Sequence, residues 1–151
     1  MIKRKADELI RNFILNDKRS LLVTGARQVG KTFLIRKVGK ECFDNVVEIT
    51  FVEQPDAIEL FSEQKGAKDF LLRLSAFAKK PLVPGKTLIF FDEIQECEEA
   101  LNTLKYFEED APQYHIIAAG SLLGVALNKS GSTFPVGKVN YLQMYPVTFR
   151  E

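Results

Sequence analysis

The stretch "GARQVGKT", Gly25 to Thr32, decides the fold. It follows the short apolar run "SLLVT" and precedes "FLIRKVGK", so it lies between a predicted strand and a predicted helix. The stretch satisfies the pattern G-x-x-x-x-G-K-[ST], in which glycines let the backbone curl until several N–H groups point at one anion. A chance match that forms only a turn is the alternative. The strand-to-helix context favours a loop that binds phosphate.

The composition is that of one soluble globular domain. The chain has 151 residues, of which 46% are hydrophobic and 27% charged. Its net charge of +1 gives no reason to expect nucleic acid or an anionic membrane as an obligate partner. Cys42 and Cys97 have no metal-binding spacing and are predicted to be free thiols. No apolar run reaches the ~20 residues of a membrane-spanning helix, and no signal peptide opens the chain. We therefore expect a cytoplasmic protein with no membrane partner.

Strands alternate with helices along the chain. The predicted strands are 20–24, 45–52, 87–91, 115–120 and 139–144. The predicted helices are 2–15, a short helix after the glycine stretch that ends near Lys40, two stretches within 55–80 that are broken at Gly66, and 97–109. Several strands are continuous apolar runs, which is typical of parallel strands covered on both faces. This order predicts an α/β fold with a mostly parallel sheet.

Residues of the glycine stretch are predicted to bind a nucleotide, ATP or ADP. Lys31 would bridge the β- and γ-phosphates, and Thr32 would place its hydroxyl on Mg²⁺. The side chains of Arg27 and Gln28 are expected to point away from the phosphates. The predicted nucleotide-binding residues are Gly25, Ala26, Arg27, Gln28, Val29, Gly30, Lys31, Thr32 and Phe33.

An acidic pair in "LIFFDEIQ" gives an independent indication of the same site. Asp92 follows four apolar strand residues, and ligands of open α/β sheets bind beside the carboxyl ends of strands. Asp92 is therefore predicted to reach the Mg²⁺ held by Thr32, and Glu93 to polarise the water that attacks the γ-phosphate. An acidic pair facing solvent is the alternative reading. For Gln95 two interpretations stay open: it orients Glu93, or it is a surface residue at a helix start.

A polar residue after a further apolar strand completes the predicted catalytic set. In "HIIAAGSLL", Ser121 would touch the γ-phosphate or orient the water, although capping the next helix is an equal alternative. His115 is expected to have a packing or surface role at the start of that strand. The predicted catalytic residues are Lys31, Glu93 and Ser121, and the predicted metal ligands are Thr32 and Asp92.

Four segments, "TGARQVGKT", "FFDEIQ", "AAGSLLGVAL" and "YPVTFRE", resemble the prokaryotic AAA-type ATPases that carry a C-terminal domain of unknown function. The resemblance spans essentially the whole chain. It implies a three-layer α/β/α P-loop fold with a parallel five-stranded sheet in the order 5-1-4-3-2, which binds ATP with Mg²⁺. By this resemblance Gly25 to Thr32 match the Walker A motif, Asp92 and Glu93 the Walker B motif, and Ser121 sensor 1. The N-terminal helix, with Arg4, matches the segment that leads to the nucleotide site beside the adenine.

The chain departs from that family in two respects. Lys138 stands in "VGKV" where relatives often have arginine, and lysine supplies charge without the bidentate fork of arginine. The family also continues beyond "YPVTFRE" with a helical lid and a further domain. Residues 1–151 are therefore expected to be an ATP-binding core whose partners are nucleotide, its own C-terminal domain and a protein or nucleic-acid target. Alone, this piece is expected to be monomeric and to hydrolyse ATP barely above background.

The sequence thus predicts the ATP-hydrolysing core of a larger ATPase. A nucleotide-dependent switch with negligible turnover is the first alternative. A P-loop kinase is the second, and it is disfavoured because Glu93 directly after Asp92 suits water as the nucleophile.

Overall fold

One parallel sheet organises the molecule. The computed structural model describes residues 8, 10–12, 20–25, 30–61, 66–97, 99–100, 103–104, 113–120 and 139–143. Five strands lie within these residues: β1 Ser20–Thr24, β2 Asn45–Thr50, β3 Thr87–Asp92, β4 His115–Gly120 and β5 Val139–Gln143. All four neighbouring pairs are parallel. The order β2-β3-β4-β1-β5 is the predicted order 5-1-4-3-2 seen from the other edge. The predicted fold class is confirmed.

Strand burial follows position in the sheet. The interior strands β1 and β3 are buried at every residue, and β4 is buried at all but its first. Such strands are continuous apolar runs because helices cover both of their faces. The edge strand β2 instead alternates between buried and partly exposed residues toward its end. It ends at Thr50 rather than at residue 52, because the N–H groups of Glu53 and Gln54 turn back onto the Thr50 carbonyl at 3.1 and 2.8 Å.

Helix α1 spans Lys31–Cys42 and therefore continues past its predicted end near Lys40. Gly39 does not terminate it. A Cβ at this position would lie 2.9 Å from Val46 Cγ2 and 3.0 Å from Leu88 Cδ2, so the glycine lets α1 approach the sheet closely. Phe43, in an extended conformation, is the C-cap of the helix, and its backbone N–H bonds to the Gly39 carbonyl at 3.0 Å.

The region 55–80 contains two helical segments separated near Gly66, as predicted. The first, Pro55–Phe61, is a 3-10 helix rather than an α-helix. It begins with a tight bond from the Ala57 N–H to the Gln54 carbonyl at 2.9 Å. The second, α2, spans Ala67–Ala78. Among the described residues, no helix is both long and apolar enough to cross a bilayer.

Helices cover both faces of the sheet, which confirms the three-layer architecture. One face packs under α1 and helical residue Ile10. The other packs under α2 and the helical residues Ala100 and Leu104. On this second face four phenylalanine rings contact one another with centroids 4.7–6.2 Å apart: Phe51, Phe61, Phe70 and Phe91.

The outer strand β2 has side-chain hydrogen bonds to its backbone. Lys80 Nζ donates to the Val46 carbonyl at 3.1 Å. The Thr50 N–H donates to Gln54 Oε1 at 3.1 Å. Lys80 lies shortly after the end of α2 and Gln54 shortly after the end of β2, so the turns that follow these elements place both side chains at the sheet edge.

Candidate functional site

The two predicted metal ligands lie together at the carboxyl edge of the sheet. Thr32 is the second residue of α1, and Asp92 is the last residue of β3. Thr32 Oγ1 donates a hydrogen bond to Asp92 Oδ2 at 2.9 Å. The predicted strand 87–91 is extended by one residue, because Thr50 pairs with Asp92 in the β2–β3 register. The topology therefore joins two motifs that are far apart in the sequence.

Asp92 is a buried carboxylate with both oxygens bonded. Its exposed fraction is 6%. Oδ2 accepts the Thr32 hydroxyl, and Oδ1 accepts the Glu93 backbone N–H at 2.9 Å. Burial raises the pKa of Asp92 above its ordinary value, and the two hydrogen bonds and the nearby Lys31 charge oppose that rise.

The start of α1 has the features expected of an anion-binding helix end. Gly30 caps the helix in the left-handed region, with φ 78 and ψ 21, which glycine adopts without strain. It has no side chain with which to cap the first backbone N–H groups of α1, and those groups carry the positive end of the helix dipole. Lys31, the first helical residue, is 2% exposed, so its side chain is shielded from solvent, and its charge acts on Asp92.

Of the other predicted nucleotide-binding residues besides Gly30, Lys31 and Thr32, the structure describes Gly25 and Phe33. Gly25 is buried and directly follows β1. Phe33 is 68% exposed and does not pack into the core. The other predicted loop residues, Ala26, Arg27, Gln28 and Val29, lie outside the described residues.

Glu93 adopts a backbone conformation that is rare for its residue type. It follows β3 directly and has φ 55 and ψ 47. A non-glycine residue in this region is strained by about 1–3 kcal/mol, and such strain is concentrated at functional sites. The Glu93 N–H bonds to Asp92, and its carbonyl accepts the Glu96 N–H at 3.0 Å. These two bonds fix the direction in which the Glu93 side chain leaves the sheet edge.

Gln95 contacts the Glu93 side chain, as the first of the two interpretations of this residue requires. It lies in the short 3-10 turn Ile94–Glu96, and its Nε2 donates to Glu93 Oε2 at 2.5 Å. The same side chain lies against Gly120, the last residue of β4: a Cβ on Gly120 would be 2.6 Å from Gln95 Oε1. Gly120 was not among the predicted site residues, although a glycine closing an apolar strand is a signal of close approach.

The end of β4 lies beside the end of β1, which directly precedes the predicted phosphate loop. Gly120 pairs with Thr24 in the β1–β4 register, and Thr24 immediately precedes the loop. The predicted Ser121 follows Gly120 but lies outside the described residues, as do Lys138 and Arg4. The described part of the site therefore joins Lys31, Thr32, Asp92 and Glu93 with the end of β4.

A pocket of about 540 Å³ lies away from these residues. It opens between α1 and the start of β2, and its walls include Arg36, Lys40, Glu48 and Lys80. Arg36 and Glu48 bridge it through two hydrogen bonds of 2.8 and 2.5 Å. None of its lining residues is a predicted site residue, so the pocket is not the candidate site.

Comparison with known proteins gives one family match and several similar structures. A family model described as an AAA domain matches residues 17–151. No curated protein sequence matches the chain. The Walker-type ATPase PABY2304 of Pyrococcus abyssi is 17% identical with a TM-score of 0.60, and the match covers 99% of this chain and 55% of that protein.

Two further similar structures contain DNA. Drosophila ORC bound to DNA is 13% identical with a TM-score of 0.61, and the match covers 97% of this chain and 43% of that one. The ORC1 protein of Aeropyrum pernix in complex with DNA is 15% identical with a TM-score of 0.58, with 97% and 44% covered. At these identities the likeness extends to the fold alone, and the chain spans about half the length of these proteins.

Proposed function

The chain belongs to the AAA domain family, and from this premise we propose that it binds ATP with Mg²⁺ and hydrolyses the γ-phosphate. The observation that carries the proposal is the 2.9 Å bond between Thr32 Oγ1 and Asp92 Oδ2. It brings the hydroxyl at the start of the helix after the phosphate loop against the carboxylate at the end of β3. A nucleotide whose phosphates occupied the start of α1 would have its metal within reach of both oxygens.

The residues at this point fit Mg²⁺. Mg²⁺ prefers oxygen ligands and usually keeps several waters, with one or two carboxylates and substrate phosphates completing its shell. Thr32 and Asp92 supply one hydroxyl and one carboxylate. When bound, Mg²⁺ would neutralise charge on the β- and γ-phosphates.

Lys31 and Glu93 would have separate tasks. Lys31 and the N–H groups at the start of α1 would bind the phosphate oxygens. Glu93 would accept a proton from water while the water oxygen forms a bond to the γ-phosphorus. The bond from that phosphorus to the bridging oxygen breaks, ADP leaves with the electron pair, and inorganic phosphate is the second product. Ser121 would contact the γ-phosphate or orient the water.

We also propose that residues 1–151 act as the ATP-binding core of a longer cytoplasmic protein. The family resemblance supports a C-terminal lid and a further domain that respond to hydrolysis. Two similar structures are of proteins in complex with DNA. We therefore retain both nucleic acid and protein as classes of target for this chain. The net charge of +1 does not favour nucleic acid over protein.

Calorimetry with ATP and MgCl₂ tests the binding half of the proposal. Lys31→Ala is expected to weaken nucleotide binding by about 10- to 100-fold, because a hydrogen bond to a charged group contributes about 1.5–3 kcal/mol. Lys40→Ala is the matched control, since Lys40 is an exposed lysine in the last turn of the same helix. Equal affinity for wild type and Lys31→Ala would remove Lys31 from its role.

Steady-state phosphate release by the full-length protein tests the chemical half. Glu93→Gln is expected to retain nucleotide binding and to lower kcat by about 10²–10⁴-fold, because the amide cannot take the proton from water. Turnover by Glu93→Gln at the wild-type rate would contradict the assignment. Tight nucleotide retention with negligible turnover by the wild type would favour the nucleotide-dependent switch instead.

A further inference from the structure

The Gln95 amide lies between the proposed general base and the end of β4. Its Nε2 donates to Glu93 Oε2 at 2.5 Å. Its Oε1 occupies the space beside Gly120, where a Cβ would be only 2.6 Å away. One planar group therefore contacts a carboxylate on one side and the backbone of a neighbouring strand on the other. A glutamine that only faced solvent would make neither of these two contacts.

The Glu93 carboxylate needs an external contact to be directed. The backbone of Glu93 is fixed by its left-handed conformation and by its two backbone hydrogen bonds. These bonds set the origin of the side chain but not its three rotatable bonds. A hydrogen bond from Gln95 to one carboxylate oxygen removes that freedom, and it leaves Oε1 as the oxygen available to accept a proton.

We propose that Gln95 is a positioning residue, which holds Oε2 of Glu93 so that Oε1 faces the attacking water, and that position 120 is glycine to admit this amide. The inference rests on the proposed function, because it assigns a role beside the same base. Gln95 touches neither water nor nucleotide in this role and acts through Glu93. In this proposal Gly120, at the end of β4, affects Glu93 indirectly, because its lack of a side chain leaves room for the Gln95 amide.

The chain offers two independent ways to break the contact. Gln95→Glu keeps the size of the side chain but replaces the amide donor with a carboxylate, which repels Glu93. Gly120→Ala leaves Gln95 intact but puts a methyl group 2.6 Å from its Oε1 and 3.1 Å from Ile94 Cγ2. The amide is the flexible end of its side chain, so it moves away and its bond to Glu93 is lost.

Kinetics of the full-length protein give the first test. Both Gln95→Glu and Gly120→Ala are expected to lower kcat by roughly 10- to 100-fold, because small misplacement of a reacting group has effects of that size. KM and the calorimetric affinity for ATP with MgCl₂ should stay within about twofold, since no phosphate contact is removed. Glu96→Ala, at an exposed residue of the same turn, is the control and should leave kcat unchanged.

A double-mutant cycle separates positioning from a merely structural role. In a Gln95→Ala background there is no amide to displace, so adding Gly120→Ala should lower kcat no further. Independent effects that multiply would overturn the proposed link between the two residues. Gln95→Asn keeps the amide but is one methylene shorter, so its amide should not reach Glu93. Its kcat should therefore be close to that of Gln95→Ala rather than to that of the wild type.

The side-chain amide resonance of Gln95 gives a readout that needs no turnover. The resonance pair is identified by its loss in Gln95→Glu. It should shift in Glu93→Ala and in Gly120→Ala, and it should not shift in Glu96→Ala. If the amide resonances of Gln95 did not shift in Glu93→Ala, the proposal would be overturned regardless of the kinetic results. A wild type that turns over normally, with Gln95→Glu equally active, overturns this inference alone; a wild type without turnover overturns it together with the proposed function.

Discussion

The carboxylate of Asp92 is buried at the point where the proposed Mg²⁺ would carry the opposing charge. Its pKa is raised mainly because burial disfavours the charged form. Without the metal, the hydrogen bonds from Thr32 and Glu93 and the charge of Lys31 offset this penalty only in part. A residue suited to binding a cation is therefore unfavourable for the stability of the cation-free fold.

Asp92→Asn is expected to stabilise the protein in the absence of Mg²⁺ and nucleotide. The folded-state pKa lies above the ordinary value of 3.8, so the stabilising contribution is full below pH 3.8 and is lost as the pH rises through the folded value. At pH 7 the neutral amide avoids this loss. Its oxygen can accept the Glu93 N–H, and its NH₂ group can donate to the Thr32 hydroxyl, which then acts as the acceptor. A gain of about 1 kcal/mol would raise Tm by roughly 2–4 °C in a chain of this size.

Thermal melts with chelator, at pH 7 and at lower pH, check this. The difference between Asp92→Asn and wild type should shrink as the pH falls, because the wild-type carboxyl then becomes neutral as well. Glu96→Gln, which changes an exposed carboxylate, should not alter Tm measurably. A lower Tm for Asp92→Asn at pH 7 would show that the hydrogen bonds of the carboxylate outweigh its burial.

Sequence reasoning predicted the Thr32–Asp92 pair but left open whether Gln95 contacts Glu93. Motif spacing and parallel topology are enough to bring the first pair to one edge of the sheet. The second depends on a left-handed backbone at Glu93, which nothing in the residue type announces. It depends also on Gly120, a residue distant in the sequence. Contacts made by irregular backbone between separate strands are beyond periodicity arguments.

At the scale of elements, the spacing between α1 and the sheet depends on one residue. Gly39 faces Val46 and Leu88 so closely that no Cβ fits without movement. Gly39→Ala gains about 1 kcal/mol of helix propensity, but overpacking costs about 1–3 kcal/mol. Val46 is β-branched and rotates reluctantly. We therefore expect a lower free energy of unfolding, by up to about 2 kcal/mol.

Urea denaturation measures this change, with Lys40→Ala as the control one residue further along the helix. Lys40 is exposed, so its substitution should have little effect. A Gly39→Ala variant at least as stable as wild type would mean that the sheet yields to the extra methyl group. Strong destabilisation of both variants would point to the helix end rather than to the helix–sheet contact.

Element boundaries were predicted best where burial is continuous. The bounds of β1 and β4 matched because each is an uninterrupted apolar run beside a clear turn signal. The 3-10 helix Pro55–Phe61 was not distinguished from an α-helix, since seven residues are too few for the two periods to differ. Gly39 was misread as a helix end because glycine also serves close packing, which only the tertiary structure reveals.

Across the whole molecule, the two cysteines report on different parts of the fold. Cys42 is exposed, and Cys97 is 2% exposed within the phenylalanine-rich face. Burial raises the pKa of the Cys97 thiol to about 11. At pH 8 a thiol reagent should label Cys42 quickly and Cys97 slower by about two orders of magnitude or more, because Cys97 must await opening of the fold.

Labelling kinetics followed by mass spectrometry measure the two rates. Cys42→Ser should leave only the slow phase, and denaturant should make the two thiols of the wild type react alike. Because the pKa of Cys97 is raised in the folded state, its thiol ionises first in the unfolded chain. The free energy of unfolding should therefore decrease as the pH rises from about 9 to about 11. Labelling of Cys97 at the rate of Cys42 in native buffer would contradict the packing of this face.

The hydrogen bonds that Lys80 and Gln54 make to β2 affect how readily another protein molecule can pair with this edge of the sheet. A bare outer strand offers a template on which another chain can add a strand, the first event of aggregation and of domain swapping. Here a lysine holds the Val46 carbonyl and a glutamine holds the Thr50 N–H. The charge of Lys80 at this border also repels a like-charged edge. Two outward-facing groups of β2, the Val46 carbonyl and the Thr50 N–H, are thus already bonded, which makes this edge a poorer template for a strand from another molecule.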